Sequence, residues 1–365
     1  MKIDRVAAQI VRLPADEPLA DGKTVPGATR DIVVVKVVTK DGIEGVGVTF
    51  FGAATTGALK MAVEELGALA IGETAHHVER IADKLRQAAG ASSGPGGLFT
   101  LALSAIDTAL WDIRGKALGV PVASLLGGYR DQAPAYASGA LMRTQSLDDV
   151  VRASTRLVER GWTAMKTQLA LPGGTFPEIE VDRIRRIREA IGPEIRLMCD
   201  INQRWTVPEA FSIGERLEPY RLHWLEDVTT CDDYQGLARI TAKLTTPIAG
   251  GEYVYGIAPF RQMLEARSVD YVMIDLVRVG GITQWMKVAG MAEAFNLPVV
   301  SHLIPEVHVH LIAAIPNGHI IEYMPWTRTL FDDPPLPEKG VMKVPTAPGL
   351  GLSFTKVVND GFGRT

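Results

Sequence analysis

The sequence predicts an α/β protein built as a modified (β/α)8 TIM-like barrel that an N-terminal α+β domain caps. Three observations predict this fold. Strand patterns followed by helical patterns fill residues 1–128 of the 365 residues. Over residues 129–324, short apolar strands alternate with helical stretches, and acidic strand ends recur at intervals of 26 residues. The Pro- and Gly-rich residues 325–365 have no room for another barrel unit, so we expect them to pack back on the capping domain.

The capping domain begins with strands. A strand is predicted from Met1 to Leu13, and the polar segment Pro14–Arg30 is predicted as a loop. β-Branched residues on both sides of Asp41-Gly42 predict a hairpin, because Asp-Gly favours a tight turn between two strands. Helical patterns follow at residues 57–69, 75–88 and 99–118.

The barrel domain shows eight short apolar strands, at residues 133–139, 163–168, 196–200, 222–226, 246–252, 270–275, 297–302 and 318–322. Helical stretches such as Leu147–Arg160 and Glu178–Ile191 separate most of them, which is typical of parallel strands joined by helices. A doubly wound open sheet is the alternative, but its first strand would lead into a Gly-rich phosphate turn. Ser138-Gly139-Ala140-Leu141 is not such a turn.

Composition argues against several classes of protein. The chain has 38 basic and 42 acidic residues and a net charge of −4, so no basic surface for nucleic acid or an anionic membrane is expected. No apolar run is long enough to span a bilayer, and the first residues lack the apolar core of a signal peptide. The two cysteines, Cys199 and Cys231, make no disulfide framework. We therefore expect a cytoplasmic enzyme with no nucleic-acid or membrane partner.

Three carboxylates end successive predicted strands: Asp200 the third, Glu226 the fourth and Glu252 the fifth. Because the carboxyl ends of barrel strands line the active site, we expect these groups to converge and to need a neutralising cation. Oxygen ligands select a hard cation, so Mg2+ is the leading choice and Mn2+ the alternative. A single acid at a strand end is more often a helix cap or a loop residue, but three in common register favour a metal site.

The next strands carry an acid–base pair. Asp275 ends the sixth strand and His302 the seventh. A carboxylate that holds one imidazole nitrogen raises the basicity of the other, so this pair predicts a general base. Glu322 ends the eighth strand, and Lys166 and Gln168 point to one side of the second strand because side chains alternate along a strand.

Together these residues resemble the barrel of the enolase superfamily, and the pairing of Asp275 with His302 is similar to its mandelate racemase subgroup (mandelate racemase/muconate lactonizing enzyme-like). The N-terminal part agrees, since Ala-Ile-Asp-Thr-Ala-Leu-Trp-Asp at residues 105–112 resembles that subgroup's domain-boundary motif. Further similarities are Gly115-Lys116, Leu125-Leu126-Gly127-Gly128, Asp200-Ile201-Asn202-Gln203 and Gly250-Gly251-Glu252. The resemblance covers essentially the whole chain.

The resemblance implies a division of labour in the site. Asp200, Glu226 and Glu252 would bind Mg2+, which would bind the substrate carboxylate and stabilise the enediolate formed when the α-proton leaves. His302, held by Asp275, would be the acid/base on one face. The N-terminal domain would cap the barrel mouth, with its loops at 14–30 and 50–56 closing on the substrate.

Further substrate contacts are implied. Glu322 would hydrogen-bond the substrate carboxylate, which requires Glu322 to be protonated or to share a proton. Lys166 would be the first lysine of a Lys-x-Lys motif, and Asn202 would contact a substrate hydroxyl. From its place at the barrel mouth, Arg204 could meet a second, distal carboxylate, and a surface arginine is an equally good interpretation.

Gln168 departs from the family pattern, because it stands where the second lysine of that motif would be the acid/base on the other face. Glutamine cannot exchange a proton at neutral pH, so it is left as a substrate contact and racemisation is disfavoured. Dehydration needs only His302, which can remove the α-proton and then protonate the departing β-hydroxyl. The sequence therefore favours a Mg2+-dependent dehydratase that converts a sugar acid, an aldonate or aldarate, to a 2-keto-3-deoxy acid.

Two alternatives stay open. One is a racemase, epimerase or lactone cycloisomerase on the same scaffold, in which Lys166 itself reaches the substrate. The other is a metal-binding homologue that lost catalysis with the second lysine. The resemblance also implies a homo-oligomer, since related barrels form dimers or octamers.

Overall fold

The chain begins with an antiparallel sheet of three strands. The computed structural model describes residues 1–21, 23–93, 96–174 and 176–363. Its first sheet has the order β1 (Ile3–Glu17), β2 (Lys23–Thr39) and β3 (Glu44–Thr49). The predicted hairpin joins β2 and β3, with Gly42 at φ +79° and its N–H bonded to the carbonyl of Thr39.

The prediction of a loop over Pro14–Arg30 is wrong for most of that segment. β1 continues to Glu17 and β2 begins at Lys23, so the two strands stay paired. The register of the β1–β2 pair shifts after Pro14, which has no N–H to donate to the hydrogen bonds between the two strands. The resulting β1–β2 ribbon reaches the barrel mouth, where the Glu17 carboxylate accepts a hydrogen bond from Trp326 Nε1 at 3.2 Å.

The helices α1 (Thr56–Ala70) and α3 (Gly97–Leu118) cover the sheet of the capping domain, and α2 (Val78–Ser93) packs against both of them. The short α4 (Val122–Leu125) follows. α3 lies very close to β3, because Gly45 and Gly47 leave room for its backbone. A Cβ on Gly47 would lie 2.1 Å from the carbonyl oxygen of Ala105. This close contact fixes the sheet against the longest buried helix of the domain.

In the described part of the chain, eight parallel strands then close into a barrel, because the last of them pairs with the first. In order around the barrel they are β4 (Gln132–Leu141), β5 (Ala164–Gln168), β6 (Arg196–Asp200), β7 (Trp224–Glu226), β8 (Ile248–Gly250), β9 (Tyr271–Asp275), β10 (Val299–His302) and β11 (Gly318–Tyr323). The predicted barrel is confirmed and the open-sheet alternative is excluded.

The strands are joined on the outside by the helices α5 (Leu147–Glu159), α6 (Pro177–Ile191), α7 (Val207–Leu217), α8 (Tyr234–Lys243), α9 (Ile257–Glu265), α10 (Leu276–Val279), α11 (Ile282–Ala294) and α12 (Pro305–Ala314). Local signals start several of them: Thr206 and Glu209 form a reciprocal capping box on α7, and Ser146 caps α5. β11 leads directly into the tail without a barrel helix of its own, which is the modification of the barrel.

A separate apolar cluster fills the inside of the barrel. Each strand contributes one buried residue to it: Tyr136, Ala164, Met198, Trp224, Ala249, Met273, Val300 and Ile320. Lys166 lies above this layer, with Nζ 5.6 Å from the centre of the Tyr136 ring. The layer therefore forms the floor of the site at the carboxyl ends of the strands.

The C-terminal segment contacts both parts of the molecule. β12 (Phe331–Asp332) pairs with β14 (Ser353–Phe354), while β13 (Val341–Lys343) adds to the barrel strand β4. The last helix, α13 (Lys356–Gly361), lies against the first sheet, since Lys36 Nζ donates to Asn359 Oδ1 at 2.7 Å. Among the described residues, no helix has the length and apolar character required to cross a membrane.

Candidate active site

The carboxyl ends of the barrel strands surround a cavity of about 160 Å³. It is lined by Phe51, Ser138, Met142, Lys166, Gln168, Asp200, Asn202, Glu252, Tyr253, Arg278, His302, Leu303, Glu322, Met324 and Trp326. Seven of the predicted site residues are in this lining. Asp275 and Glu226 lie directly behind it, bonded to His302 and Lys166. Arg204 is exposed and is not part of the lining.

The predicted metal ligands meet only in part. Asp200 and Glu226 are register partners on β6 and β7, as their spacing predicts. Glu252 lies two residues beyond the end of β8, so its predicted place within the strand is wrong; Gly251, at φ +123°, turns the chain there. Carboxylate oxygens of Glu226, Asp227 and Glu252 lie within 4.8 Å of one another. Asp227 thus joins two predicted ligands, while Asp200 is outside that group.

The charges of these carboxylates are poorly balanced in the protein alone. Asp200 Oδ1 accepts the N–H of Asn202 at 2.7 Å, and burial raises the pKa of Asp200 to about 6. Burial, together with the charges of Glu252 and Asp200, raises the pKa of Asp227 well above its usual range. Asp227 Oδ2 is buried and has no hydrogen-bond partner among the described residues. A buried set of oxygen ligands with this excess of negative charge fits a hard divalent cation.

Lys166 is the cation that balances part of this charge. Its Nζ lies 2.5 Å from Glu226 Oε1 and 2.8 Å from Glu322 Oε1. Burial lowers the pKa of Lys166, but attraction to the two carboxylates outweighs burial and raises the pKa well above its usual value. Lys166 is therefore protonated in this site.

Asp275 and His302 form the predicted pair. They are register partners on β9 and β10, and Asp275 Oδ2 lies 2.6 Å from His302 Nδ1. The other oxygen of Asp275 accepts the N–H groups of Val277 and Arg278 at 2.9 and 2.6 Å, which fixes the carboxylate. His302 Nδ1 therefore donates to Asp275, and Nε2 is the nitrogen on the cavity side that can exchange a proton.

The protonation of His302 depends on its neighbours. Its Nε2 lies 3.2 Å from Glu252 Oε2. Burial lowers the pKa of His302, but the charge of Glu252 and the hydrogen bond to Asp275 outweigh burial and raise the pKa to about 9. Glu252 thus favours the imidazolium form.

Glu322 is ionised in the protein alone, and its contact with a substrate carboxylate, for which it would be protonated or share a proton, stays a prediction. Its Oε1 pairs with Lys166, and its Oε2 accepts the N–H of Leu303 at 2.8 Å. Burial raises the pKa of Glu322, but the charges of Lys166 and His302 outweigh it and lower the pKa. Two donors already satisfy an ionised carboxylate here, so no proton is needed.

Sequence reasoning missed two buried arginines. Arg278 lines the cavity, with its guanidinium 3.7 Å from the centre of the Phe51 ring and 4.8 Å from that of Tyr253. It donates to the carbonyl of Glu252 at 2.9 Å. Its position three residues after Asp275 was a usable signal, because a barrel strand end is where functional residues gather. Arg143 gave no signal, since its partners are far away in the sequence.

Fold and site together define the class of protein: a capped β/α barrel with buried carboxylates and a hydrogen-bonded His302–Asp275 pair at the carboxyl ends of its strands. The chain belongs to the mandelate racemase/muconate lactonizing enzyme family of the enolase superfamily. Residues 10–127 match the family model "Mandelate racemase / muconate lactonizing enzyme, N-terminal domain", and residues 149–357 match "Enolase C-terminal domain-like". The predicted family is confirmed.

Several relatives have named activities. The chain is 32% identical over 361 residues to the L-talarate/galactarate dehydratase of Salmonella typhimurium LT2, covering 97% of this chain and 89% of that protein. It is also 32% identical to the 3,6-anhydro-alpha-L-galactonate cycloisomerase of Streptomyces coelicolor, covering 96% of each. L-Talarate dehydratase from Polaromonas sp. JS666, solved with Mg and L-glucarate, superposes with a TM-score of 0.90 at 32% identity, covering 98% of this chain and 96% of that one.

Proposed function

We propose that this protein is a Mg2+-dependent dehydratase of a sugar acid, an aldonate or aldarate, and that its product is a 2-keto-3-deoxy acid. One observation carries the proposal: the acid–base nitrogen of His302 faces a small cavity that also holds the cation-binding carboxylates, whereas Gln168 replaces a second acid–base group. One acid–base residue is sufficient for elimination of water but not for inversion of a stereocentre.

The residues present fit the divalent cation. Asp200, Glu226 and Glu252 would hold Mg2+, with Asp227 adding negative charge beside Glu252. The bound cation would supply electrostatic stabilisation of the charge that develops on the substrate carboxylate when its α-proton leaves.

His302 carries out both proton transfers. In its neutral form, Nε2 takes the proton from the α-carbon, and the C–H electron pair moves toward the substrate carboxylate. The resulting imidazolium donates that proton to the β-hydroxyl, the C–O bond breaks, water leaves, and the enol ketonises. Asp275 stabilises the imidazolium between the two steps, because it holds Nδ1 at 2.6 Å. The negative charge of Glu252 is the strongest influence against the neutral form of His302. Another cation must therefore balance the charge of Glu252 before His302 can take the α-proton.

Lys166 and Glu322 complete the polar surface for the substrate carboxylate. Lys166 is a buried ammonium group that lines the cavity and attracts an anion. Glu322 holds Lys166 in place through the 2.8 Å ion pair. Asn202 and Gln168 offer amide groups to substrate hydroxyls on the wall formed by β5 and the end of β6.

The relatives support the reaction class. Besides the talarate/galactarate enzymes, the D-xylonate dehydratase of Haloferax volcanii is 30% identical, over 88% of this chain and 83% of that protein. A homo-oligomeric state and a cytoplasmic location remain predictions, which ultracentrifugation and cell fractionation would check.

The proposal is tested by a substrate screen. Enzyme stripped with a chelator and reloaded with Mg2+ is incubated with a library of aldonates and aldarates, and 2-keto-3-deoxy products are detected with semicarbazide. We expect turnover of at least one sugar acid, with no turnover before Mg2+ is restored.

The matched variant is His302→Asn, which keeps a polar side chain but no titratable nitrogen. We expect kcat to fall at least about 100-fold, because a positioned acid–base group contributes about 10²–10⁴-fold. Full activity of His302→Asn would overturn the assignment of His302.

Cycloisomerase relatives favour a second candidate, an isomerase on the same scaffold with Lys166 as the other acid/base. Incubation in D2O separates the two. Deuterium at an inverted α-carbon without loss of water indicates an isomerase, and absence of exchange across the whole library indicates a homologue that only binds metal.

A further inference from the structure

A chain of four polar side chains crosses the cavity wall between β5, β6 and the turn after β8. The backbone N–H of Arg143 meets Gln168 Oε1 at 3.4 Å, and the Arg143 guanidinium donates to Asn202 Oδ1. Gln168 Nε2 donates to the same Asn202 oxygen at 3.3 Å, and Asn202 Nδ2 donates to Tyr253 Oη at 3.3 Å.

Arg143 sets the direction of this chain. The oxygen and nitrogen of an amide side chain have nearly the same shape, so their orientation follows from their partners. A backbone N–H and a guanidinium can only donate, so each requires an amide oxygen opposite it. The backbone N–H of residue 143 therefore orients Gln168 directly, whereas the Arg143 guanidinium orients Asn202, whose oxygen in turn accepts from Gln168 Nε2.

The result is a cavity wall that donates hydrogen bonds. One N–H of the Gln168 amide is used by Asn202, and the other has no acceptor among the described residues, while Gln168 lines the cavity. His302 lies across the same cavity, three strands away around the barrel. A substrate group beside Gln168 must therefore accept a hydrogen bond.

The Arg143 guanidinium is only 7% exposed, and its hydrogen bonds go to neutral oxygens: Asn202 Oδ1 and, at 3.4 and 3.5 Å, the carbonyls of Asp200 and Ile201. Among the described residues, its Nε is buried without a hydrogen-bond partner. Burying a guanidinium in this way opposes folding, so a role in the site gives a reason for its presence.

We propose that Arg143 is a positioning residue that makes Gln168 a hydrogen-bond donor to the oxygen on the α-carbon of the substrate. The inference rests on the proposed function, in which this oxygen begins as a hydroxyl and ends as the ketone of the product. A hydroxyl oxygen and a ketone oxygen both accept, so a donor can hold the atom throughout the reaction. An amine at the α-carbon, which is an ammonium group at neutral pH, would be rejected.

Calorimetric titration of the Mg2+-loaded protein with pyruvate and with alanine tests this selectivity without turnover. We expect pyruvate to bind at least about tenfold more tightly than alanine, since a hydrogen bond or an unpaired donor changes affinity by roughly this factor. Gln168→Glu replaces the donor with an acceptor of the same shape and should abolish or reverse the ratio. Equal binding of the two ligands by the wild type, or an unchanged ratio in Gln168→Glu, would overturn the donor assignment.

Arg143 is tested on the same ratio. Arg143→Met removes the guanidinium that orients Asn202 but keeps the backbone N–H that contacts Gln168, and it should lower the ratio because Asn202 can then turn its nitrogen toward Gln168. Arg143→Lys keeps a side-chain donor and should preserve the ratio, and the exposed Arg152→Met on α5 is the matched control. In a double-mutant cycle, Arg143→Met should add little to Gln168→Glu, because it acts through Gln168. Additive losses would assign Arg143 a separate, structural role. Arg143→Gln, whose amide can accept as well as donate, replaces Arg143→Met if the latter does not fold.

These outcomes are independent of the screen for dehydration. Selectivity for pyruvate in a protein that turns over no sugar acid would retain the donor wall and remove the dehydratase. Turnover of a sugar acid without selectivity for pyruvate would retain the dehydratase and remove the donor wall.

Discussion

Asp200 and Asp227 are alternative candidates for the third metal ligand beside Glu226 and Glu252. Asp200 occupies the strand end that matches the family pattern and lines the cavity, whereas Asp227 is closer to the other two carboxylates in the protein alone. Among the described residues, Asp227 Oδ2 has no hydrogen-bond partner, whereas Asp200 Oδ1 accepts the N–H of Asn202, so the charge of Asp227 is the less compensated of the two.

We expect Asp200→Asn to weaken Mg2+ binding by at least about 100-fold, because a ligand contributes more than the partners behind it, which account for about 10–100-fold. Asp227→Asn should weaken binding less, since it removes a neighbouring charge only. Calorimetric titration with MgCl2 measures both. A larger loss of Mg2+ affinity in Asp227→Asn than in Asp200→Asn would instead make Asp227 the ligand and Asp200 the neighbouring charge.

Gln168 stands where the family pattern has a second lysine, so a lysine at this position should add an activity. Gln168→Lys places an amine across the cavity from His302, so we expect epimer of the recovered substrate to appear during turnover in D2O, as detected by NMR. Gln168→Met, which cannot transfer protons, is the control and should give none. No epimer in Gln168→Lys would mean that the amine does not reach the α-carbon.

At the scale of elements, close packing between α3 and β3 depends on glycine. Gly47→Ala would bring a methyl group 2.1 Å from a backbone oxygen, so helix and strand would have to separate. We expect a loss of stability of about 1–3 kcal/mol, as for other overpacked sites. Gly290→Ala on the exposed side of α11 meets no atom within 4 Å and should stabilise the helix by about 0.5–1 kcal/mol. Denaturation of the two variants beside the wild type checks both signs.

The elements also show what could be predicted from the sequence. Strands such as Arg196–Asp200 were predictable to the residue, because a buried strand is an unbroken apolar run that stops at its functional end. The ribbon at 14–30 was not predictable, since its pairing comes from the opposite strand and overrides the local polar composition. Gln168 and Asn202 were predictable as site residues, but their hydrogen bonds with Arg143 were not, because 59 residues separate Arg143 from Asn202.

At the scale of the whole molecule, two histidines at the end of the barrel opposite the site predict that folding stability falls at acid pH. His223 and His319 lie there with their Nε2 atoms 3.1 Å apart, and burial lowers the pKa of each to about 4. The unfolded chain binds protons on these residues near pH 6.5, well before the folded protein does. Their contribution to stability should therefore be unchanged above about pH 6.5 and should fall progressively toward pH 4.

Melting temperatures between pH 7.5 and 4.5 test this expectation against a His223→Gln/His319→Gln variant. The difference between the two proteins should shrink or reverse as the pH falls. A constant difference over this range would show that the pair does not titrate with unfolding.

The layer of eight side chains that fills the barrel has a kinetic consequence. Among the described residues, this layer closes the floor of the cavity, so we expect the space above it to open toward the cap. Incoming substrate and outgoing product must then share one passage, so a new molecule cannot enter until the last one has left. Product added at the start of an assay should consequently compete with substrate, raising the apparent KM while leaving the maximal rate unchanged.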